Sequence, residues 1–269
     1  MRKIDMHHHL IEERGYVDTL LREMDRFEIE RTALIGLGPL FRGIFVRGEP
    51  AGRIADNDAV EQAVRAHPDR FFGLGYIRLG VDPPERVDEL ADRGFAGLKF
   101  HIPRMRYDDE RCFPVYEKAL AHNLPCLFHT GIVSLPTPCP DERIRSGNMD
   151  VLHLEAVAQA FPELPLIAAH LGVQNNLTAL TLIRLFPNIY ADLSGSTPGW
   201  RANLTMADWN RYLWFPHAPE KILFGTDVHA AEFPENIALY EQIADAAGWD
   251  ETARRNLFHD NAAGLFGLK

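Results

Sequence analysis

Ile4-Asp5-Met6-His7-His8-His9 reads Asp-x-His-x-His inside a short apolar run that starts at Lys3. In a strand, alternate side chains share a face. Asp5, His7 and His9 therefore point one way, with the two imidazoles ~7 Å apart along the strand. His8 points to the opposite face and is no candidate for the same ion. Two imidazoles on one face suit a metal if other strands bring further donors. The competing readings are a purification-tag scar and ordinary core histidines. A tag is usually longer and does not follow a strand start such as Lys3-Ile4-Asp5-Met6. The rest of the chain decides between ligand and core.

Outward from that stretch, strand-like and helix-period runs alternate to the end of the chain. The expected strands are Lys3 to His9, Thr32 to Leu37, Phe71 to Leu79, Gly97 to His101, Pro125 to Thr130, Pro165 to His170, Ile189 to Leu193 and Lys221 to Thr226. Between them, Val17, Leu20, Leu21, Met24 and Phe27 recur at helix spacing, as do Ala59, Val60, Ala63 and Val64. Further helices are expected at Pro84 to Asp92, Pro114 to His122, Asp150 to Ala160, Leu177 to Phe186, Met206 to Trp214, Pro234 to Ala247 and Glu251 to Phe258. Long loops run from Gly38 to Ala55 and from Gly131 to Asn148. Eight strand–helix units in one chain predict an α/β fold, a (β/α)8 TIM barrel, as a single domain over residues 1–269. An open doubly wound sheet is the alternative, but it would carry Gly-x-Gly-x-x-Gly after the first strand, and that turn is missing.

Composition narrows the class. Hydrophobic residues at 46% and charged residues at 25% fit a globular enzyme. No apolar run reaches the length of a membrane span, so no membrane partner is expected. Three cysteines, Cys112, Cys126 and Cys139, have no metal-type spacing and point to a reducing compartment. With a strand directly after Met1-Arg2-Lys3, no signal peptide is expected, and the location read from this is cytoplasmic. A net charge of −10 argues against nucleic-acid binding. Nothing in the sequence decides between a monomer and a homo-oligomer.

In barrels of this kind the chemistry sits at the C-terminal strand ends. Strand one ends in His7 and His9, strand four in Lys99 and His101, and strand five in His129. Strand six ends in His170, strand seven holds Asp192, and strand eight leads into Asp227. Buried imidazoles and charges are costly unless paired or metal-bound. Six strands with such residues at one end favour a metal site over scattered core polars. His67, His122, His153, His217 and His259 read as helix-end or loop residues. His229 follows strand eight closely enough to support the site indirectly.

These segments resemble the amidohydrolase superfamily, in the branch that includes aminocarboxymuconate semialdehyde decarboxylase. The resemblance rests on Asp5-x-His7-x-His9, Gly97-Leu98-Lys99, Phe128-His129-Thr130-Gly131, Ala169-His170-Leu171-Gly172 and Phe224-Gly225-Thr226-Asp227. It implies that His7, His9, His129 and Asp227 bind one divalent metal, with His170 either an imidazole that supports the ligands or a catalytic one. Three nitrogens and one carboxylate suit Zn²⁺, with Mn²⁺ the alternative. Metal-bound water would ionise near pH ~7 and act as nucleophile, with Asp227 as its base. Lys99 is either a carboxylated bridge to a second metal, as in some relatives, or a salt-bridge or substrate contact; one ion is favoured. His101 stands open between ligand and loop support. Asp5 and Asp192 are read as hydrogen-bond partners that orient the ligands.

The leading functional reading is a metal-dependent hydrolase of a small ester, lactone or amide. The alternative is a metal-dependent non-oxidative decarboxylase, and the third reading is a non-catalytic metal-binding barrel. The expected substrate is a small carboxylated molecule, because arginines crowd the loops at the catalytic rim. Arg145 and Arg201 are the first candidates to clamp it, then Arg42 and Arg47, with Trp200 as an aromatic wall.

Overall fold

The computed structural model describes residues 1–37, 44–46, 49–133 and 144–268. In chain order it runs β1 (Lys3–His9), α1 (Tyr16–Arg26), β2 (Ile29–Ile35), β3 (Ile44–Val46), β4 (Glu49–Gly52), α2 (Asn57–Ala66) and β5 (Phe71–Ile77). It continues with α3 (Glu85–Asp92), β6 (Gly97–Phe100), α4 (Phe113–Ala121), β7 (Cys126–Phe128), α5 (Leu154–Ala160), β8 (Leu166–Ala168), α6 (Asn176–Leu185) and β9 (Ile189–Asp192). It closes with α7 (Met206–Tyr212), β10 (Ile222–Leu223), α8 (Phe233–Ala246), α9 (Glu251–Arg255) and α10 (Asn261–Leu265).

Eight strands share one sheet in the order β1-β2-β5-β6-β7-β8-β9-β10. The β1/β2, β5/β6, β6/β7, β7/β8 and β8/β9 pairs are parallel. With helices in the crossovers, this is the (β/α)8 TIM-barrel fold that the strand–helix alternation predicts. Among the described residues, no helix is long and apolar enough to cross a membrane.

The chain divides into two compact units. One comprises Met1–Phe72 with Asp192–Lys269, the other Gly73–Ala191. In the first unit, α1 buries Tyr16, Leu20 and Met24, one residue per turn along a single stripe. Phe224, Tyr240 and Phe258 form its aromatic cluster, with ring centroids 4.9–6.3 Å apart. In the second unit, Phe100, Tyr116, Phe128 and Phe161 do the same at 4.9–5.9 Å. Burying one such ring stabilises by roughly 1.5–3 kcal/mol, so each unit has its own apolar anchor.

Several expected boundaries move. The second strand begins at Ile29, because Glu28 turns the chain with a left-handed φ of 56°. The third stops at Ile77, where Asp82 Oδ2 accepts the Arg78 N–H at 2.7 Å. The expected loop from Gly38 to Ala55 contains the antiparallel β3/β4 pair. The expected final helix ends at Arg255 and gives way to a wider turn over Asn256–Asp260 before α10. There Asn261 Nδ2 donates to the carbonyls of Pro219 and Ile222, both at 2.8 Å.

Candidate metal centre

The first unit holds His7, His9 and Asp227 together. The Asp227 N–H donates to the His7 carbonyl at 2.7 Å, which ties the chain after β10 to β1. Gly225 permits the approach, since a Cβ there would lie 2.7 Å from His7 Cβ. Asp227 itself sits at φ 47°, a left-handed conformation that Asp tolerates better than most residues. Its Oδ1 lies 3.4 Å from His9 Nε2 and 3.8 Å from His7 Nε2.

Both imidazoles are oriented from behind. His7 Nδ1 is 2.8 Å from Asp192 Oδ2 and 3.0 Å from Ser194 Oγ. Ser194 in turn donates its hydroxyl (2.6 Å) and its N–H (2.9 Å) to Asp192 Oδ1. His9 Nδ1 donates to the Ile35 carbonyl at 3.3 Å. In each ring the proton belongs on Nδ1, which turns the Nε2 lone pair toward Asp227. Donors that share one Zn²⁺ at about 2.0–2.2 Å lie roughly 3.3–3.5 Å apart. The observed spacings and the two pinned tautomers fit a divalent ion, and His7, His9 and Asp227 form a group that could bind one.

Asp5 stands two residues before His7 on the same strand, β1. Its Oδ1 accepts the N–H groups of His7 (3.1 Å) and Thr226 (2.9 Å), and its Oδ2 accepts the Thr226 hydroxyl at 2.6 Å. Burial pushes the Asp5 carboxyl up to about 7, while those hydrogen bonds pull it down. His8 faces away from His7 and His9, as its place between them in the strand requires. It is buried between Thr226 Oγ1 (3.0 Å) and the Tyr16 hydroxyl (2.8 Å). Burial lowers it to about 3, with His229 and His7 adding repulsion, so its ring is neutral.

The second unit gathers three imidazoles. His129 Nδ1 is 3.2 Å from His170 Nε2, and the His101 and His129 rings meet edge to face at 4.2 Å. Lys99 is buried on β6, two residues before His101. The expected strand six ends at Ala168 instead of His170. His170 (φ 60°), Leu171 (φ 46°), Gly172 (φ 74°) and Val173 (φ 50°) form a left-handed run. Thr130 braces it, its hydroxyl donating to the Ala169 carbonyl and accepting the Gly172 N–H at 3.0 Å.

The arginine candidates separate by burial. Arg42 and Arg47 lie outside the described residues. Arg145 is exposed. Arg201 is 1% exposed, with Nη2 on the Gly195 carbonyl and its guanidinium 5.6 Å over the Tyr240 ring. Burial lowers its pKa, and its Nε and Nη1 have no hydrogen-bond partner among the described residues. Trp200 Nε1 donates to the Ser194 carbonyl at 3.0 Å, which holds the loop beside Asp192.

Sequence reasoning misses Ser194, Thr226 and Tyr16. Ser194 carries a signal, since a hydroxyl two residues after Asp192 can turn back onto the carboxylate as Ser and Thr often do. Tyr16 carries none, as nothing in its local pattern separates it from a core aromatic.

Fold and donor set together define a (β/α)8 barrel with a group fit to bind a metal. The amidohydrolase family model matches residues 4–268, and the chain belongs to that family. No curated protein matches it. Among solved structures it is similar to an uncharacterized TIM-barrel protein from Bordetella bronchiseptica, with 18% identity, TM-score 0.72, and 100% of this chain and 99% of that one covered. It is similar to 5-carboxyvanillate decarboxylase from Sphingomonas paucimobilis, with 18% identity, TM-score 0.65 and coverage of 100% and 99%. It is also similar to the manganese-bound 5-carboxyvanillate decarboxylase from Novosphingobium aromaticivorans, with 15% identity, TM-score 0.64 and coverage of 99% and 97%.

Proposed function

We propose that this chain is a cytoplasmic, metal-dependent, non-oxidative carboxy-lyase, one barrel domain acting on a small aromatic carboxylic acid. The observation that carries the reading is the donor set of His7, His9 and Asp227, with both imidazoles turned by bonds at Nδ1. The likeness to 5-carboxyvanillate decarboxylases favours decarboxylation over the hydrolysis that leads the sequence reading. Hydrolysis of an ester, lactone or amide is the second reading, supported by the family description alone.

In this reading His129 is the fourth ligand, as the family resemblance implies. It would bind through Nε2, because Nδ1 faces His170. Zn²⁺ suits three nitrogens and one carboxylate, and Mn²⁺, the ion in the Novosphingobium enzyme, is the alternative. One ion suffices, so Lys99 is a substrate or salt-bridge contact rather than a carboxylated bridge, and His101 supports His129. When bound, the ion supplies a Lewis acid that polarises a substrate oxygen. Asp227 or His170 holds a proton at the carbon that carries the carboxylate. The C–C bond breaks, its electron pair stays on that carbon, the proton forms the new C–H bond, and CO2 leaves. Asp192 and Ser194 keep His7 in its tautomer throughout.

The arginines would meet the substrate's negative charge. Arg145 comes first, because an exposed guanidinium can receive an entering carboxylate with two parallel hydrogen bonds. Arg201 would meet an anion through Nε and Nη1 while its Nη2 stays on the Gly195 carbonyl. Trp200 belongs to the same loop and walls it. The test is product analysis with Mn²⁺- or Zn²⁺-loaded protein. Hydroxylated aromatic acids such as 5-carboxyvanillate should release CO2, while neutral esters and lactones stay intact. Acid release from an ester or lactone, with no CO2 from any aromatic acid, would replace this reading with hydrolysis.

A further inference from the structure

His8 belongs to a buried chain that the metal reading does not use. Tyr16, on the first turn of α1, places its hydroxyl 2.8 Å from His8 Nε2. His8 Nδ1 lies 3.0 Å from Thr226 Oγ1, and Thr226 Oγ1 lies 2.6 Å from Asp5 Oδ2. At the far end, the Ala230 N–H donates to the Tyr16 oxygen at 3.3 Å. Every polar side-chain atom in the chain is buried, so none can take a partner from bulk water.

The Ala230 N–H decides which way the protons run. A backbone N–H can only donate, so the Tyr16 oxygen is already an acceptor. If His8 Nε2 also donated to that oxygen, the Tyr16 proton would have no acceptor among the described residues. His229, packed 5.1 Å from the Tyr16 ring, offers none: its Nδ1 accepts the Ala231 N–H and its Nε2 faces Glu13. An orphaned buried O–H is costly, and that cost selects one direction. Tyr16 donates to His8 Nε2, His8 Nδ1–H donates to Thr226 Oγ1, and Thr226 donates to Asp5 Oδ2. Asp5 is then an acceptor at both oxygens. Its Oδ1 holds the N–H of His7 and the N–H of Thr226, the residue before Asp227.

We propose that Tyr16, His8 and Thr226 are positioning residues: their one-way chain keeps Asp5 an acceptor, and Asp5 thereby sets the spacing of His7 and Asp227 for a divalent ion. The inference rests on the metal-dependent reading of this site and adds the device that tunes it. The chain reaches from β1 to α1 and to the turn at Ala230, so a single hydroxyl on α1 bears on metal affinity without touching the metal.

The test uses Co²⁺ as the probe, read by chelator competition and by visible absorption of the loaded protein. Thr226→Val removes the hydroxyl and keeps the shape, and it should weaken Co²⁺ binding about 10- to 100-fold and shift the absorption bands, the range found when groups behind metal ligands are lost. Tyr16→Phe keeps the ring and should weaken binding by roughly tenfold at most. Thr226→Ser should restore the native constant and spectrum. If Thr226→Val does not fold, Tyr16→Phe with its intact ring decides. Native affinity and spectrum in the folded variants would overturn the inference alone, as would a Thr226→Ser protein no better than Thr226→Val. A wild-type protein that takes up no Co²⁺ would overturn the metal-dependent reading and this inference with it.

Discussion

The two units solve the same problem, holding imidazoles still, by different means. In the first, His7 and His9 stand on β1, and each ring is turned by a partner at Nδ1, Asp192 or the Ile35 carbonyl. In the second, His170 stands on a left-handed run and is held by backbone conformation, with Thr130 bracing the turn. Hydrogen bonds to the rear of a ring fix tautomer and direction, which a metal ligand needs. A strained backbone places a side chain where a strand cannot, which suits a group that moves a proton. The difference fits the proposed roles of His7 and His9 as ligands and of His170 as a group that handles a proton.

The comparison breaks most visibly at the ligands. His7→Ala and His9→Ala, singly or together, should strip the protein of its ion and reduce turnover to background. Elemental analysis of the purified variants checks this against about one equivalent in the wild type. Full occupancy in the double variant would show that the pinned imidazoles serve another purpose.

The next largest effect falls on the second unit. His170→Ala should keep the ion and lose turnover by about 10²-fold or more, the scale of a positioned acid–base group. Metal content and kcat measured on one preparation separate the two halves of the statement. A variant that loses metal while keeping its fold would make His170 a ligand and erase the division of labour.

The first unit's donors are legible in the sequence because a strand has period two, so Asp-x-His-x-His states which side chains share a face. The barrel is legible for a related reason: apolar runs and helix-period runs alternate along the whole chain. What is not legible depends on distance in sequence. Ser194 meets His7 across 187 positions and Thr226 meets His8 across 218, and no local pattern announces either contact. The left-handed run is hidden for another reason. Leu171 and Val173 are residues that rarely take positive φ, so Ala169-His170-Leu171 reads as the end of a strand. Gly172 is the one residue in the run that gives a hint. The β3/β4 pair is obscured because Gly and Pro recur on both sides of a strand of three residues.

The smallest effect sharpens the comparison at the backbone itself. The first unit carries its strain at Asp227, a residue type that tolerates φ near +47°. The second carries part of it at Val173, φ 50° and ψ −92°, where a β-branched side chain is a poor fit. Such a conformation costs about 1–3 kcal/mol for a residue with a Cβ. Glycine would remove that cost, but it loses more chain entropy on folding, roughly 0.5–1 kcal/mol. It also uncovers Gly131, whose own added Cβ would lie only 2.6 Å from Val173 Cβ. Val173 is half-buried, so the lost contact is modest. The balance favours Val173→Gly by on the order of 1 kcal/mol, which should raise the melting temperature by about 2 °C in a chain of this size. A thermal melt followed by circular dichroism reads this directly. A lower melting temperature would mean that the cover over Gly131 outweighs the strain, and that packing rather than backbone conformation holds His170 in place.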